Sequence, residues 1–336
     1  MAEPGPAPAV PELPDAAAVR AAAARIAPWI RETPVLTSAS LDEAAGGRLF
    51  FKCEPFQRTG SFKFRGASNA VLSLSDEEAG RGVVTHSSGN HGAALALAAR
   101  RRGIPAWVVM PEGAAAVKRA AVERHGARVV LCAPTPEARA EGAARLERET
   151  GAVLVHPFDD PRVIAGQGTA ALELLAEVPD LDLVVAPVGG GGLLSGTAIV
   201  AAAAASGGAG PAIEVVGAEP AAADDAARSL AAGRIEPPWP VSAERPATVA
   251  DGLRTGLCPR TFAVIRARVA RIVSVEEAAI VAAMRTVWER LKVVIEPSAA
   301  VAVAAVLGTG LAEGRRAGVV LSGGNVDLDR LPWASA

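Results

Sequence analysis

Any chemistry that needs an amine nucleophile has four candidates in this chain, the lysines Lys52, Lys63, Lys118 and Lys292. Lys63 stands apart in Thr59-Gly60-Ser61-Phe62-Lys63-Phe64-Arg65-Gly66, between two aromatics and just before an expected helix. A desolvated amine gives up its proton more readily and attacks carbonyl carbon. A surface lysine with its stem packed on the Phe rings would give the same tripeptide. Ser87-Ser88-Gly89-Asn90-His91-Gly92 follows the apolar run GVVTH. A polar, Gly-containing turn between strand and helix turns N–H groups and hydroxyls toward a carboxylate or phosphate, although Ser and Asn also serve as ordinary helix caps.

Three further segments have the same strand-end placement. Gly189-Gly190-Gly191-Gly192 follows LDLVVAPV. Consecutive glycines free several N–H groups to surround a phosphate at a helix start, and they are costly in a mere connector. No GK[ST] follows, so this is not a Walker loop, and its partial overlap with GxGxxG carries little weight. Leu321-Ser322-Gly323-Gly324-Asn325 closes the last strand, where an open α/β sheet presents ligand groups. Glu219, Ala223 and Asp225 follow EVVGA; two carboxylates with a backbone carbonyl between them could hold a hard cation, or the acids could simply enrich a first helical turn.

The elements that must position these residues alternate. Strands are expected at Arg48–Lys52, Gly82–His86, Ala106–Met110, Arg128–Cys132, Leu183–Pro187, Glu214–Ala218, Arg271–Val273 and Gly318–Leu321. Helices are expected between them, among them Asp15–Glu32, Gly66–Leu74, Asn90–Arg102, Gly166–Val178, Gly192–Ser206, Ala221–Ala232 and Pro297–Ala312. Short continuous apolar strands interleaved with helices predict an α/β fold of two open parallel sheets with helices on both faces. Residues 82–156, rich in consecutive β–α units, form the expected small inserted domain; 15–81 and 157–336 form the large one, and the Pro-rich 1–14 a disordered leader. Pro237–Pro246 reads as an ordered surface loop, and no room remains after the last strand for an appended regulatory domain.

Composition narrows the partners. With 34 Lys+Arg against 36 Asp+Glu the net charge is −2, which gives no electrostatic footprint for nucleic acid. The longest apolar stretch, Leu193–Ala205, is interrupted by Ser195, Gly196 and Thr197 and falls short of the ~20 residues of a membrane span. Cys53, Cys132 and Cys258 are few and far apart, without a CxxC, as in a reducing compartment. A cytoplasmic protein without a nucleic-acid or membrane partner is the expectation.

Taken together, TGSFKFRGASNAV, VVTHSSGNHG, VIAGQGTAALE, PVGGGGLLSG, AEP…ADD, IEPSA and LSGGNVDL resemble the fold type II (tryptophan synthase beta-like) pyridoxal-phosphate enzymes, specifically the serine/threonine dehydratase and serine racemase family. The resemblance runs from about Thr33 to Leu328. It implies that Lys63 carries pyridoxal 5′-phosphate through its amine with Phe62 packed beside it. It further implies that Gly189, Gly190, Gly191 and Gly192 cradle the phosphate, that Asn90 bonds the 3′-oxygen and that Ser322 faces the pyridine nitrogen. Ser87, Ser88, Asn90 and His91 would receive the substrate carboxylate, and Glu219, the carbonyl of Ala223 and Asp225 would hold Mg²⁺ or Ca²⁺. The implied activity is L-threonine/L-serine dehydration to a 2-oxo acid and ammonia, by a homodimer. The alternatives are a serine racemase with side dehydratase activity, in which Ser88 is the second acid/base opposite Lys63, and a 3-hydroxyaspartate ammonia-lyase. A non-catalytic binder would not need the lysine, and a nicotinamide oxidoreductase would leave Lys63 and Ser322 unexplained.

Overall fold

The computed structural model describes residues 12–87, 89–114, 116–206, 212–242 and 247–333. Most of the expected leader, Ser88, and residues 243–246 of the Pro-rich loop lie outside the described residues. The strands are β1 (Val35–Leu36), β2 (Arg48–Cys53), β3 (Val83–His86), β4 (Ala106–Pro111), β5 (Arg128–Cys132), β6 (Val153–Leu154), β7 (Leu183–Pro187), β8 (Glu214–Pro220), β9 (Arg271–Val275) and β10 (Arg316–Leu321). They form a six-stranded sheet in the order β1-β2-β10-β7-β8-β9 and a four-stranded sheet in the order β5-β4-β3-β6. Every pairing is parallel except that of the edge strand β1 with β2. The chain is thus α/β with two parallel sheets, and β1 is the one antiparallel departure from the expected pattern.

The helices are α1 (Ala16–Ile26), α2 (Ala39–Ala45), α3 (Lys63–Leu72), α4 (Asp76–Arg81), α5 (Asn90–Arg102), α6 (Ala116–Arg124), α7 (Pro136–Thr150), α8 (Pro161–Glu177), α9 (Gly192–Ser206), α10 (Asp225–Ala232), α11 (Pro259–Arg268), α12 (Glu277–Arg290) and α13 (Pro297–Gly308). Several bounds differ from expectation for visible reasons. The expected Asp15–Glu32 helix stops at Ile26, with Ala27 still helical in backbone, because Pro28 supplies no N–H to continue the ladder. Helix α8 starts earlier than expected, at Pro161, because Asp160 caps it by accepting from the N–H groups of Arg162 and Val163. The expected Ala221–Ala232 helix divides into a 3₁₀ turn, Ala221–Ala223, and α10. Helix α3 begins at Lys63, not after it.

Helix α8 organises the centre. It packs between α3 and α9, and glycines let the backbones meet. A Cβ on Gly166 would lie 2.6 Å from Gly66 Cα, and one on Gly196 would lie 2.5 Å from the Gly168 nitrogen. The helix that begins with Lys63 and the helix that follows the four glycines are therefore both seated on one element. Helix α13 supplies the main core opposite; Ser298 through Val306 are all buried, as expected for a helix apolar all round. No helix among the described residues is long and apolar enough to cross a membrane.

Candidate functional site

Lys63 takes the first position of α3 without a side-chain cap at Phe62. The turn is fixed from afar instead. The Phe62 N–H donates to the Ser322 carbonyl at 3.0 Å, and Ser61 bridges to Gly323. The end of β10 thus lies directly against the lysine's lead-in. Lys63 Nζ donates to the Pro157 carbonyl at 3.1 Å and lies 5.0 Å from the Phe62 ring centroid. Burial pushes its ammonium down to about 8, partly offset by Glu296, so about a tenth of it is the neutral nucleophile at pH 7.

The segment after β6 is the wall opposite the lysine. Val155 O meets His91 Nε2 at 3.2 Å, and His156 Nδ1 accepts from the Asp159 N–H at 2.9 Å. The His156 ring meets His86 and Phe158 edge-on. Burial depresses both His91 and His156, the latter to about 4, so both rings are neutral beside the Lys63 amine. Phe158 underlies the glycine loop: a Cβ on Gly190 would lie 2.3 Å from its ring. Gly191 has φ +84°, a conformation glycine adopts without strain. Among the described residues, the N–H groups of Gly189, Gly190 and Gly191 meet no acceptor.

Asn90, at the start of α5, faces the same cleft with its amide held on both sides. Its Nδ2 donates to Glu296 Oε1 at 2.8 Å, and its Oδ1 accepts from Asn325 Nδ2 at 2.9 Å. Glu296 is 7% exposed; burial, then Asp251, push its carboxyl up to about 8. Sequence reasoning gave no role to His156, Phe158, Glu296 or Asn325. The quoted IEPSA and LSGGNVDL segments contain two of them, but only the fold shows that Glu296 and Asn325 converge on Asn90.

Other expected residues fall as follows. The Ser87 N–H pairs with the Val109 carbonyl at the end of β3, and Ser87 Oγ accepts from Gly89 N–H. Glu219, at the end of β8, accepts from Ala227 N–H at 2.6 Å and Ala226 N–H at 3.2 Å, and so caps α10. It has no described bond to the lysine cleft. Among the described residues no group of three or more His, Cys, Asp and Glu side chains could hold a metal ion.

The cleft has the features a phosphorylated, polar, planar group requires. Three successive glycine N–H groups are unpaired, and Phe158 fills the space a side chain on Gly190 would need. The Ser322 hydroxyl makes no hydrogen bond with the described residues, and buried Ser61 Oγ and His91 Nδ1 have no partner. Buried polar atoms left unpaired in this number call for a ligand.

Comparison with known proteins agrees. The family described as "Pyridoxal-phosphate dependent enzyme" matches residues 26–323. A serine racemase of Oryza sativa subsp. indica is 48% identical over 327 residues, covering 96% of this chain and 93% of that protein. A beta-hydroxyaspartate dehydratase of Paracoccus denitrificans is 48% identical over 314 residues, covering 93% and 96%. A solved T.th. threonine deaminase superposes with a TM-score of 0.85 at 46% identity, covering 94% of this chain and 99% of that one.

Proposed function

The chain belongs to the pyridoxal-phosphate-dependent enzyme family, and from that premise we propose that it is a hydroxy-amino-acid ammonia-lyase. It would convert L-threonine or L-serine to a 2-oxo acid and ammonia by β-elimination. The observation that carries this is the Lys63 amine, lowered to about 8 by burial and held on the Pro157 carbonyl, in the wall segment whose Phe158 lies against Gly190. When bound, pyridoxal phosphate supplies an electrophilic carbon for the substrate amine and a ring that withdraws electrons from Cα. Everything else falls to the chain. Gly189, Gly190, Gly191 and Gly192 offer N–H groups to the phosphate at the start of α9. Phe62 would pack beside the ring, and Asn90 would hold its 3′-oxygen. Ser322 offers the ring nitrogen a neutral hydroxyl, which makes the ring a weaker electron sink than a carboxylate partner would. That suits a reaction in which the β-hydroxyl leaves as the Cα proton is taken. Lys63 is the base for that proton. Ser87, Ser88, Asn90 and His91 receive the substrate carboxylate at the start of α5, and neutral His91 and His156 add no charge to compete for it.

A second reading is favoured by the relatives. Two proteins of equal 48% identity are named for racemisation of serine and dehydration of beta-hydroxyaspartate. Racemisation would need Ser88 as the acid/base opposite Lys63. Glu219 and Asp225 support a Mg²⁺ or Ca²⁺ site with the Ala223 carbonyl: burial pushes the two carboxyls up to about 8 and about 6, a penalty a divalent cation would reverse. The domain division belongs to the same proposal. The four-stranded sheet lies wholly within 83–154, although its core also takes in Phe64, Ala67 and Val71 of α3. A cytoplasmic homodimer completes it.

One incubation tests the reading. Cofactor-loaded protein with Mg²⁺ is given L-serine, L-threonine and L-threo-3-hydroxyaspartate, and 2-oxo acid and D-isomer are quantified in the same tubes. Oxo acid in excess is expected. D-serine in excess would move the chain to the racemase reading, and neither product would end both.

A further inference from the structure

Lys118 lies on α6, against the four-stranded sheet, and Asp251 lies in a 3₁₀ turn of the other half of the chain. The two form an ion pair. Among the described residues it is the only ion pair joining 83–154 to the chain beyond 157. Its place is unusual for a surface contact. A methyl group on Gly89 would touch Lys118 Cδ and Nζ at 4.0 Å, so the ammonium stands beside the loop that opens α5. Helix α5 has no side-chain cap at Gly89. Glu296, which accepts from Asn90 in the same loop, senses both members of the pair: Asp251 pushes its carboxyl up and Lys118 pulls it down. Lys63, Lys118, Asn90 and the start of α5 therefore converge on one opening, and the exposed anion facing Lys118 there is Asp251.

We propose that Lys118 is a substrate-binding residue whose ammonium takes the carboxylate of the incoming amino acid, and that Asp251 occupies it in the free enzyme. The inference rests on the proposed function in that this cleft is where an amino acid binds. Its logic is competition between two carboxylates for one partly exposed cation. Lys118 is half-buried and Asp251 exposed, so the resident pair is weakly held. A substrate carboxylate that also gains the N–H groups of a helix start makes the better partner. Removing the cation and removing its resident partner must then act in opposite directions.

The experiment uses cofactor-loaded wild type, Lys118→Met, Lys118→Arg and Asp251→Asn. L-Alanine, which has no β-leaving group, is titrated in, and its Kd is read from the change in visible absorbance. KM and kcat for L-serine are measured alongside. In Lys118→Met the alanine Kd and serine KM rise about tenfold with kcat little changed, as expected for one lost charge-assisted bond. Lys118→Arg keeps most of the affinity. In Asp251→Asn both constants fall several-fold. The gap between wild type and Lys118→Met narrows with added salt. If Lys118→Met and Asp251→Asn weaken alanine binding alike, the pair is only a clasp between the two halves and the proposal fails. It also fails if Lys118→Met leaves Kd unchanged. Failure of the functional reading looks different: no oxo acid or D-isomer forms from any hydroxy-amino acid, while the alanine titration still reports on Lys118.

Discussion

Two clusters of wholly or partly buried ionisable side chains lie around the first turn of α3, and they are built on opposite rules. One centres on Arg65. Its guanidinium bonds both oxygens of Glu54 at 2.8 Å and both oxygens of Glu173 at 2.5 and 2.7 Å, and Lys52 reaches Glu173 at 2.7 Å. Two cations face two anions with every fork filled. Burial alone would raise Glu173, but the bonds and charge of Arg65 outweigh it and hold the carboxyl below its usual range. The other cluster, Lys63 with Glu296, His91 and His156, has no such pairing. Burial there drives each group toward its neutral form. Balanced burial fixes charges and makes structure; unbalanced burial leaves protons free to move, which is what a site of proton transfer needs.

Removing the central cation of each cluster should have opposite outcomes for stability and turnover. Arg65→Ala leaves the fully buried Glu54 without its cation and Glu173 with Lys52 alone, and is expected to cost about 3–5 kcal/mol. Lys63→Ala removes a group with a single backbone bond and should cost about 1 kcal/mol or less, yet it abolishes turnover. Urea denaturation of the two variants beside an oxo-acid assay checks both halves. Equal stability losses would mean that the lysine cluster is structural too.

Titration separates the two clusters as well. Uptake of pyridoxal phosphate by the cofactor-free chain needs neutral Lys63. The uptake rate should rise about tenfold per pH unit and level off near pH 8, where an ordinary lysine would still be climbing. Glu296 has the opposite sign in stability. Its carboxyl is raised from 4.5 to about 8, so the folded chain holds a proton that the unfolded chain has already lost. The stabilisation is fully present below pH 4.5 and is lost as pH rises through 8. Glu296→Gln should flatten the stability profile across that window. An unchanged profile would mean that Glu296 is paired as firmly as Glu173.

The two clusters were not equally legible in the sequence. Alternating apolar strands and helices predicted the α/β class, and two helices, Asn90–Arg102 and Gly192–Ser206, have the expected ends. Both follow a strand through a Gly-containing loop, so the chain itself marks where they start. Lys63, Asn90, the four glycines and Ser322 could be picked out because their segments combine rare types in a local pattern. The start of α3 could not, since the bond that sets it comes from Ser322, far along the chain. Neither could Glu296, Asn325, His156 or the Arg65 network. Each is an ordinary residue in its own segment, and only the packing of β10, α8 and the 155–160 wall gives it a partner. The short helices Ala39–Ala45 and Asp76–Arg81 were missed because so few residues carry no visible period.

The finest test concerns Ser61, which stands between the clusters and belongs to neither. Its hydroxyl is fully buried and has no partner, in a turn bridged to Gly323 beside Ser322. A buried hydroxyl without a bond is a net cost, so Ser61→Ala should be neutral or stabilising in the cofactor-free chain, by up to about 1 kcal/mol. If the cleft exists to satisfy such atoms with a bound ligand, the same variant should weaken cofactor retention several-fold, read as faster loss of visible absorbance on dilution. The two signs must oppose each other. A variant destabilised in both forms would place Ser61 with the Arg65 cluster, as structure; one unchanged in both would mean that its hydroxyl faces neither the core network nor the ligand.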